Sequence, residues 1–286
     1  MSRQLHAVVD MLSISELVKK SALTKRDSGK DLSTGWVVNF AVGCTHGCLF
    51  CYVQRITEKL NPWKLPEAVF KEGWGSYLYV YDNLHEAVEK TQWWRWRDEV
   101  VLMSSTHDPY LPQLYFPHKW PRRILEAALP HGVKFNILTR SALALQDLDL
   151  FVQYRMQIRL MYSLPTLDDE LARTTEPNVP LPSVRLVALR KAKTAGARIG
   201  VIVAPIIPRF GWERDLTRTI SAVAGLEPEI VFGEMLHPRG SNLELMARKG
   251  VEFLRPNKAW DERIGRLFEQ LLAEYGLKGE YWYEYD

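Results

Sequence analysis

Cys44, Cys48 and Cys51 are the only cysteines in the chain, and all three fall within eight residues. An odd, tightly clustered set is not a disulfide framework; such short spacings point to a metal or a reactive thiol. The stretch Gly43-Cys44-Thr45-His46-Gly47-Cys48-Leu49-Phe50-Cys51-Tyr52 reads C-x3-C-x2-C. Four-iron clusters are usually held by four thiolates, so a chain that offers three leaves one iron open to an exogenous ligand. Catalytic zinc sites keep a position free in the same way. The glycines beside Cys44 and Cys48 let the backbone bend around such a cluster. Two other readings compete. Zinc held by the three thiols and His46 lacks the usual second, separated ligand pair, and three inert buried thiols have no reason to share this spacing. An iron–sulfur site is the expectation.

Such an array needs a framework, and the pattern from Trp36 onward supplies one. Apolar runs of strand length are WVVNFAV (36–42), VVLMSS (100–105), KFNILT (134–139), QIRLMYSL (157–164), RIGVIVAPI (198–206) and EIVFGEML (229–236). Between and after them, PRRILEAAL, SVRLVALRKAKTAG, DLTRTISAVAG and DERIGRLFEQLLAEYG return an apolar residue every three or four positions, and several end in Gly, a common helix stop. Continuous apolar strands alternating with amphipathic helices predict a parallel sheet covered by helices. Six such units are fewer than the eight of a closed barrel. The fold class expected is therefore α/β, an open partial (β/α)6 barrel, with the cysteines in the loop after its first strand. SYLYVYDN (76–83) is expected as an added edge strand. Residues 1–33, with a short amphipathic helix over 12–20 and the charged turn-rich run KRDSGKD, are expected as an N-terminal extension. Residues 34–286 then form one domain, including a C-terminal helix and tail.

The 286 residues are 47% apolar and 25% charged, with a formal net charge of +3, an ordinary globular composition. No apolar run approaches the ~18 residues of a membrane span, and the N-terminus does not read as a secretory signal. The expected location is cytoplasmic, with no membrane partner. A near-neutral charge argues against a histone-like nucleic-acid binder while leaving room for a local basic groove. Arg185, Arg190, Lys191, Lys193 and Arg198 could contact a phosphodiester backbone, as could His237 and Arg239. The ordinary alternative for the first five is a solvated helix face opposite Val184, Leu186, Val187 and Leu189. Gln92-Trp93-Trp94-Arg95-Trp96-Arg97 could stack bases or plug the core.

The C-x3-C-x2-C motif followed by an aromatic residue, after the first strand of a partial barrel, resembles the radical S-adenosylmethionine (SAM) superfamily. NFAVGCTHGCLFCY, SSTHDPYLP, ILTRSALALQDLDL, MYSLPTLDDELARTTEPNVPLPSVRL and VAPIIP together resemble its spore photoproduct lyase-like branch, over roughly residues 34–236. The resemblance implies a [4Fe–4S] cluster on Cys44, Cys48 and Cys51, with S-adenosyl-L-methionine as second cofactor. Reductive cleavage of that cofactor would give a 5′-deoxyadenosyl radical that abstracts hydrogen from substrate. It further implies that Ser105, Thr106 and Asp108 lie at the methionine amino group, Arg140 at its carboxylate, Ser163 at a polar edge, and Val203, Pro205 and Ile206 near the adenine. Plainer roles remain for each: Arg140 could cap a strand against Asp147 or Asp149, Ser163 could be a strand-end hydroxyl, and Pro205 could form a turn. His107 could transfer protons or hydrogen-bond a strand end. His46 could tune the cluster or face solvent.

The chain departs from spore photoproduct lyase in two places. That enzyme has a further cysteine, its hydrogen donor, in a stretch resembling 105–108, where Ser105 stands here. It also has two tyrosines around the third cluster cysteine, where this chain has Phe50 and Tyr52. Thiol-based quenching and a two-tyrosine relay are thereby excluded, whereas a Tyr52 relay stays open. The activity expected is that of a radical SAM enzyme, lyase- or transferase-like, fed by an external reductant such as ferredoxin or flavodoxin. Nucleic acid is the first substrate class, and a peptide or protein is the alternative. Two non-catalytic readings, an iron–sulfur electron carrier or sensor and a zinc-stabilised nucleic-acid-binding module, complete the set.

Overall fold

A computed structural model describes residues 7–9, 14, 17–20, 32–60 and 73–285. The strands in chain order are β1 (Ala7–Val9), β2 (Val18–Lys20), β3 (Trp36–Val38), β4 (Ala41–Gly43), β5 (Leu78–Tyr81), β6 (Val100–Met103), β7 (Lys134–Thr139), β8 (Ile158–Ser163), β9 (Ile199–Ile206), β10 (Val231–Met235) and β11 (Gly279–Tyr281). Eight of them form one sheet in the order β11-β10-β9-β8-β7-β6-β3-β2. All neighbours in it are parallel except β2 with β3. The six strands read from the sequence are its contiguous centre, β3 and β6 to β10, so the open α/β partial barrel is observed.

Parallel strands covered on both faces bury both sets of side chains. Val101, Met103, Phe135, Ile137, Leu160, Tyr162, Val201 and Val203 belong to the main core. Their strand neighbours Leu102, Met161, Ile202 and Phe232 turn the other way and meet Leu32, Val37 and Trp282 in a second apolar cluster inside the barrel. Asn136 is the buried polar exception there, its amide donating to the Leu32 carbonyl at 2.9 Å.

Several expectations need correction. WVVNFAV is not one strand: it breaks at Asn39-Phe40, and its second half, β4, leaves the barrel for a three-stranded sheet in the order β1-β5-β4. SYLYVYDN contributes the middle strand of that sheet, β5, rather than an edge. Within the helix expected over 12–20, residues 18–20 are strand β2, residue 17 is a bend and residue 14 is irregular, the rest lying outside the described residues. KRDSGKD also lies outside them.

The helix Pro182–Thr194 buries Pro182, Arg185, Ala188, Leu189 and Ala192, while Val184 and Val187 are exposed. Its inner stripe is thus not the one expected, and the basic run is partly consumed by ion pairs. Lys193 meets Glu227 and Arg198 meets Glu229. In the Trp-rich segment, Trp93 and Trp96 are core and Trp94 is exposed. Trp93 donates its indole N–H to the Val88 carbonyl at 3.0 Å, and Trp96 meets Trp36 edge-on at 5.9 Å.

Candidate active site

The C-terminal ends of the barrel strands converge on a cavity of about 330 Å³. Cys44, Cys48 and Cys51 line it, together with the turn Ser104–Asp108 after β6, Arg140 after β7, Ser163 at the end of β8, Pro205 on β9 and Glu234 on β10. Chemistry in barrels of this kind sits at that end of the strands. Leu32, Leu102, Leu138, Ile202 and Trp282 give the cavity an apolar floor.

The cysteine loop is folded by its own backbone and by two close glycines. Gly47 N–H donates to the Cys44 carbonyl at 3.3 Å and Cys51 N–H to that of Cys48 at 3.1 Å. Gly43 has φ +92°, and a Cβ there would lie 2.4 Å from Tyr77; Gly47, at φ +62°, packs against Gly75. The helix Val53–Leu60 starts directly after Cys51. Burial pushes the Cys44 thiol up to about 12, with the Asp108 charge adding to the effect. It also raises Cys48 well above the usual thiol range, Arg140 opposing. Cys51 rises for the same reason, against the Val53 amide at the helix start. Without a cation these sulfurs are protonated; a bound metal centre would deprotonate them outright. Three soft donors on one tight loop, facing a shared cavity, fit an iron–sulfur cluster, and the chain has no fourth cysteine to close it.

Behind the loop, Asp108 is a hub. Its carboxylate accepts from Tyr110 N–H at 2.9 Å, the Thr139 hydroxyl at 2.7 Å and Arg140 N–H at 2.7 Å. His46 Nδ1 stands 3.4 Å from the same group, so His46 is buried rather than facing solvent. Burial lowers the His46 pKa, the Asp108 charge opposing. Asp108 thus fixes the strand ends around the cavity instead of pointing a free carboxylate into it. Ser105 is bound twice by Asn39, whose Oδ1 accepts from Ser105 N–H at 2.8 Å and whose Nδ2 donates to Ser105 Oγ at 3.1 Å. Ser104 adopts φ +64°, and its hydroxyl donates to the His107 carbonyl at 2.7 Å.

His107 lines the cavity with its ring edge-on to Phe40 at 4.6 Å and Nδ1 3.3 Å from the Thr106 hydroxyl. Burial lowers its pKa to about 3, so the imidazole is neutral. Tyr52, beside Cys51, donates its hydroxyl to the Ser105 carbonyl at 2.7 Å.

Arg140 does not cap a strand against Asp147 or Asp149; Arg122 takes both of those carboxylates. Instead the Arg140 guanidinium lies over the Phe50 ring, and its Nε donates to Glu176 at 2.7 Å. Ser163 Oγ donates to the Ala204 carbonyl at 3.2 Å. Pro205 lines the main cavity, and Pro205 and Ile206 line a small adjoining hollow with Phe50. Val203 turns into the main core and is absent from the cavity wall, because alternate residues of β9 face opposite sides.

Glu176, Arg185, Asn39 and the wall formed by Glu234, His237, Arg239, Trp282 and Glu284 were not singled out for the cavity from the sequence. Glu176 stands inside TEPNVP with no pattern of its own, and Arg185 reads by composition as part of an outer basic run. On the far wall, ligand atoms of Glu234, His237 and Glu284 lie within 4.8 Å of one another, and Arg239 ion-pairs with Glu284. The segment carrying Trp282 and Glu284 follows β11, which runs parallel to β10. Trp282 stacks on Phe232 with centroids 4.7 Å apart, and the buried Asp261 accepts from Tyr281 Oη at 2.7 Å and Glu284 N–H at 2.9 Å. Among the described residues no helix is long and apolar enough to cross a membrane.

The profile of the Radical SAM superfamily matches residues 38–218. An uncharacterized protein of Acidianus two-tailed virus, ORF301, is 46% identical over 94% of this chain and 90% of its own length. An uncharacterized protein of Mycobacterium tuberculosis is 30% identical over 95% of this chain and 84% of its own. Among solved structures, spore photoproduct lyase complexed with dinucleoside spore photoproduct superposes with a TM-score of 0.68 at 15% identity, covering 93% of this chain and 79% of that one. Streptococcus suis SuiB bound to S-adenosylmethionine gives 0.51 at 10% identity, over 86% of this chain and 49% of SuiB.

Proposed function

Because the chain belongs to the radical SAM superfamily, whose enzymes use a [4Fe–4S] cluster and S-adenosylmethionine, we propose that Cys44, Cys48 and Cys51 hold that cluster and that the enzyme abstracts hydrogen from an organic substrate in this cavity. When bound, the two cofactors supply an electron for sulfonium cleavage and hence a 5′-deoxyadenosyl radical. The chain's own residues bind, orient and exclude water. Arg140 receives the methionine carboxylate, for which a guanidinium fork is suited. Ser105 and Thr106 line the amino side, with Asp108 setting the turn and Arg140 in register. Ser163 offers a polar edge, and Pro205 and Ile206 offer apolar surface for the adenine. Leu102, Leu138 and Ile202 keep the reacting centre dry. Tyr52 would return a hydrogen atom to the product radical, its phenoxyl being restored by one electron and one proton from the external reductant, and neutral His107 would accept or donate a hydrogen bond rather than carry charge.

The observation that carries this reading is that three thiols on one loop line the same cavity as Arg140 and the 104–108 turn. Anaerobic reconstitution tests it. About four irons per chain, an electron paramagnetic resonance signal that changes on adding S-adenosylmethionine, and reductive release of 5′-deoxyadenosine are expected, all lost in Cys48→Ala. A cluster spectrum indifferent to S-adenosylmethionine would instead favour an electron carrier, and stoichiometric zinc in colourless protein would favour the zinc module.

Likeness to spore photoproduct lyase supports nucleic acid as the first substrate class. Glu234 on the far wall, beside the mutually paired Arg239 and Glu284, favours a second: an uncharged or cationic peptide segment, since a carboxylate repels phosphodiesters. The electron would come from a small carrier such as a ferredoxin or flavodoxin. Three thiols that must stay reduced to bind iron favour the cytoplasm. Residues 34–286 are taken as the catalytic domain and 1–33 as its extension.

A further inference from the structure

Arg140, Glu176 and Arg185 form an ion triad in which Glu176 and Arg185 are buried and Arg140 is half-buried. Glu176 caps the end of the helix Asp169–Thr175 and is 2% exposed, and Arg185 on the helix Pro182–Thr194 is fully buried. Both Arg185 terminal nitrogens reach Glu176, Nη1 at 3.2 Å and Nη2 closer. Nη1 also donates to the Ser163 carbonyl at 2.8 Å. The carboxylate, gripped from below, accepts from Arg140 Nε at 2.7 Å. Arg140 Nη2 leans to the Ala204 carbonyl at 3.4 Å, and Nη1 has no acceptor among the described residues. The remaining edge of the guanidinium therefore faces the cavity that Arg140 lines.

Arg140 and Arg185 face two carboxylates, Glu176 between them and Asp108 on the Arg140 backbone N–H, so the guanidinium groups are anchored by fixed anions. Burial alone would raise the Glu176 pKa, but Arg185 and Arg140 outweigh it and hold the group ionised. Of the two guanidinium groups, Arg140 is the one that lines the cavity, where a ligand carboxylate would arrive. The same segment braces the cysteine loop: Thr175 accepts from Leu49 N–H at 2.9 Å, and Asn178 Nδ2 donates to the Thr45 carbonyl at 2.9 Å.

We propose that Glu176, locked by Arg185, is a positioning residue that presents Arg140 to the carboxylate of S-adenosylmethionine at a fixed offset from the cysteine loop. This rests on the reading of Arg140 given above and adds to it the two residues that make its orientation rigid. Pre-organised donors lose less on binding than mobile ones, which is a reason to place an otherwise expensive arginine in the core.

The experiment measures equilibrium binding to the reconstituted holoenzyme of two probes, S-adenosylhomocysteine, which keeps the amino-acid carboxylate, and methylthioadenosine, which lacks it. Glu176→Asp keeps the charge and withdraws it by one methylene. Arg185→Lys keeps its charge and removes the two-point grip. Each is expected to weaken S-adenosylhomocysteine by about tenfold, the scale of one charged hydrogen bond, and to leave methylthioadenosine within about twofold. Equal losses for both probes, or no loss for either, would overturn the positioning role. Arg140→Met separates this from the underlying reading: if it fails to discriminate between the probes, Arg140 does not meet the carboxylate. If it discriminates while the Glu176 and Arg185 variants do not, only the positioning proposal fails.

Discussion

Asn39 grips Ser105 from both ends, its side-chain oxygen on the Ser105 amide at 2.8 Å and its nitrogen on the Ser105 hydroxyl at 3.1 Å. The contact ties the break between β3 and β4 to the turn after β6. It sets where Ser105 presents its hydroxyl to the cavity. Asn39→Ala is expected to lower stability by about 1–2 kcal/mol and to raise the KM for S-adenosylmethionine more than it lowers kcat. Denaturant unfolding and steady-state release of 5′-deoxyadenosine measure the two effects; an unchanged KM would show that Ser105 does not touch the cofactor.

Asp108 accepts three donors on two oxygens. In Asp108→Asn one oxygen can stay with Tyr110 and Thr139, but the Arg140 amide N–H then faces an amide NH2. A buried donor left unsatisfied costs about 1–3 kcal/mol, so the urea midpoint should fall by that equivalent, with Arg140 displaced. A wild-type midpoint would contradict the hub assignment.

Burial, against the Asp108 charge, lowers the His107 pKa to about 3 and lowers His46 in the same direction. Unfolded histidines take up protons near pH 6.5. Between about pH 6.5 and 3 the unfolded chain therefore binds more protons, and stability falls as the pH falls. Each such group adds a slope of up to about 1.4 kcal/mol per pH unit. His107→Phe, whose ring can keep the contact with Phe40, should remove one such slope from the stability curve of the cluster-free chain. Parallel curves for the two proteins would refute the effect.

At Gly43 a side chain meets Tyr77 at 2.4 Å and the backbone is left-handed at φ +92°. Gly43→Ala should cost at least about 1–3 kcal/mol of backbone strain before any clash is relieved. Because the next residue is Cys44, iron retention after desalting should fall together with stability. Full iron content in this variant would mean that the loop has slack.

The barrel was legible because its strands are buried on both faces, which leaves uninterrupted apolar runs such as KFNILT and RIGVIVAPI that need no partner to be recognised. The cysteine loop was legible for a different reason: its chemistry is local, with all three donors on eight consecutive residues. What escaped depends on distant pairing. Arg185 sits at the inward position of the helical stripe Arg185, Ala188, Leu189 and Ala192, yet a charge normally marks the outside; only Glu176, delivered by the preceding helix, makes it a core residue. WVVNFAV looked like a single strand because Asn39, which breaks it, finds its partner 66 residues away. Trp282 and Glu284 carry no motif; the parallel docking of β11 on β10 brings them to the cavity.

That docking imposes an order on biosynthesis. On a ribosome the thiols emerge early, whereas the wall bearing Trp282 and Glu284 exists only once residue 284 has left the exit tunnel. Until then the cavity lacks Trp282 and Glu284, two of the residues that line it. The thiol loop and the wall that faces it therefore come from opposite ends of the described chain and share a cavity only once β11 pairs with β10.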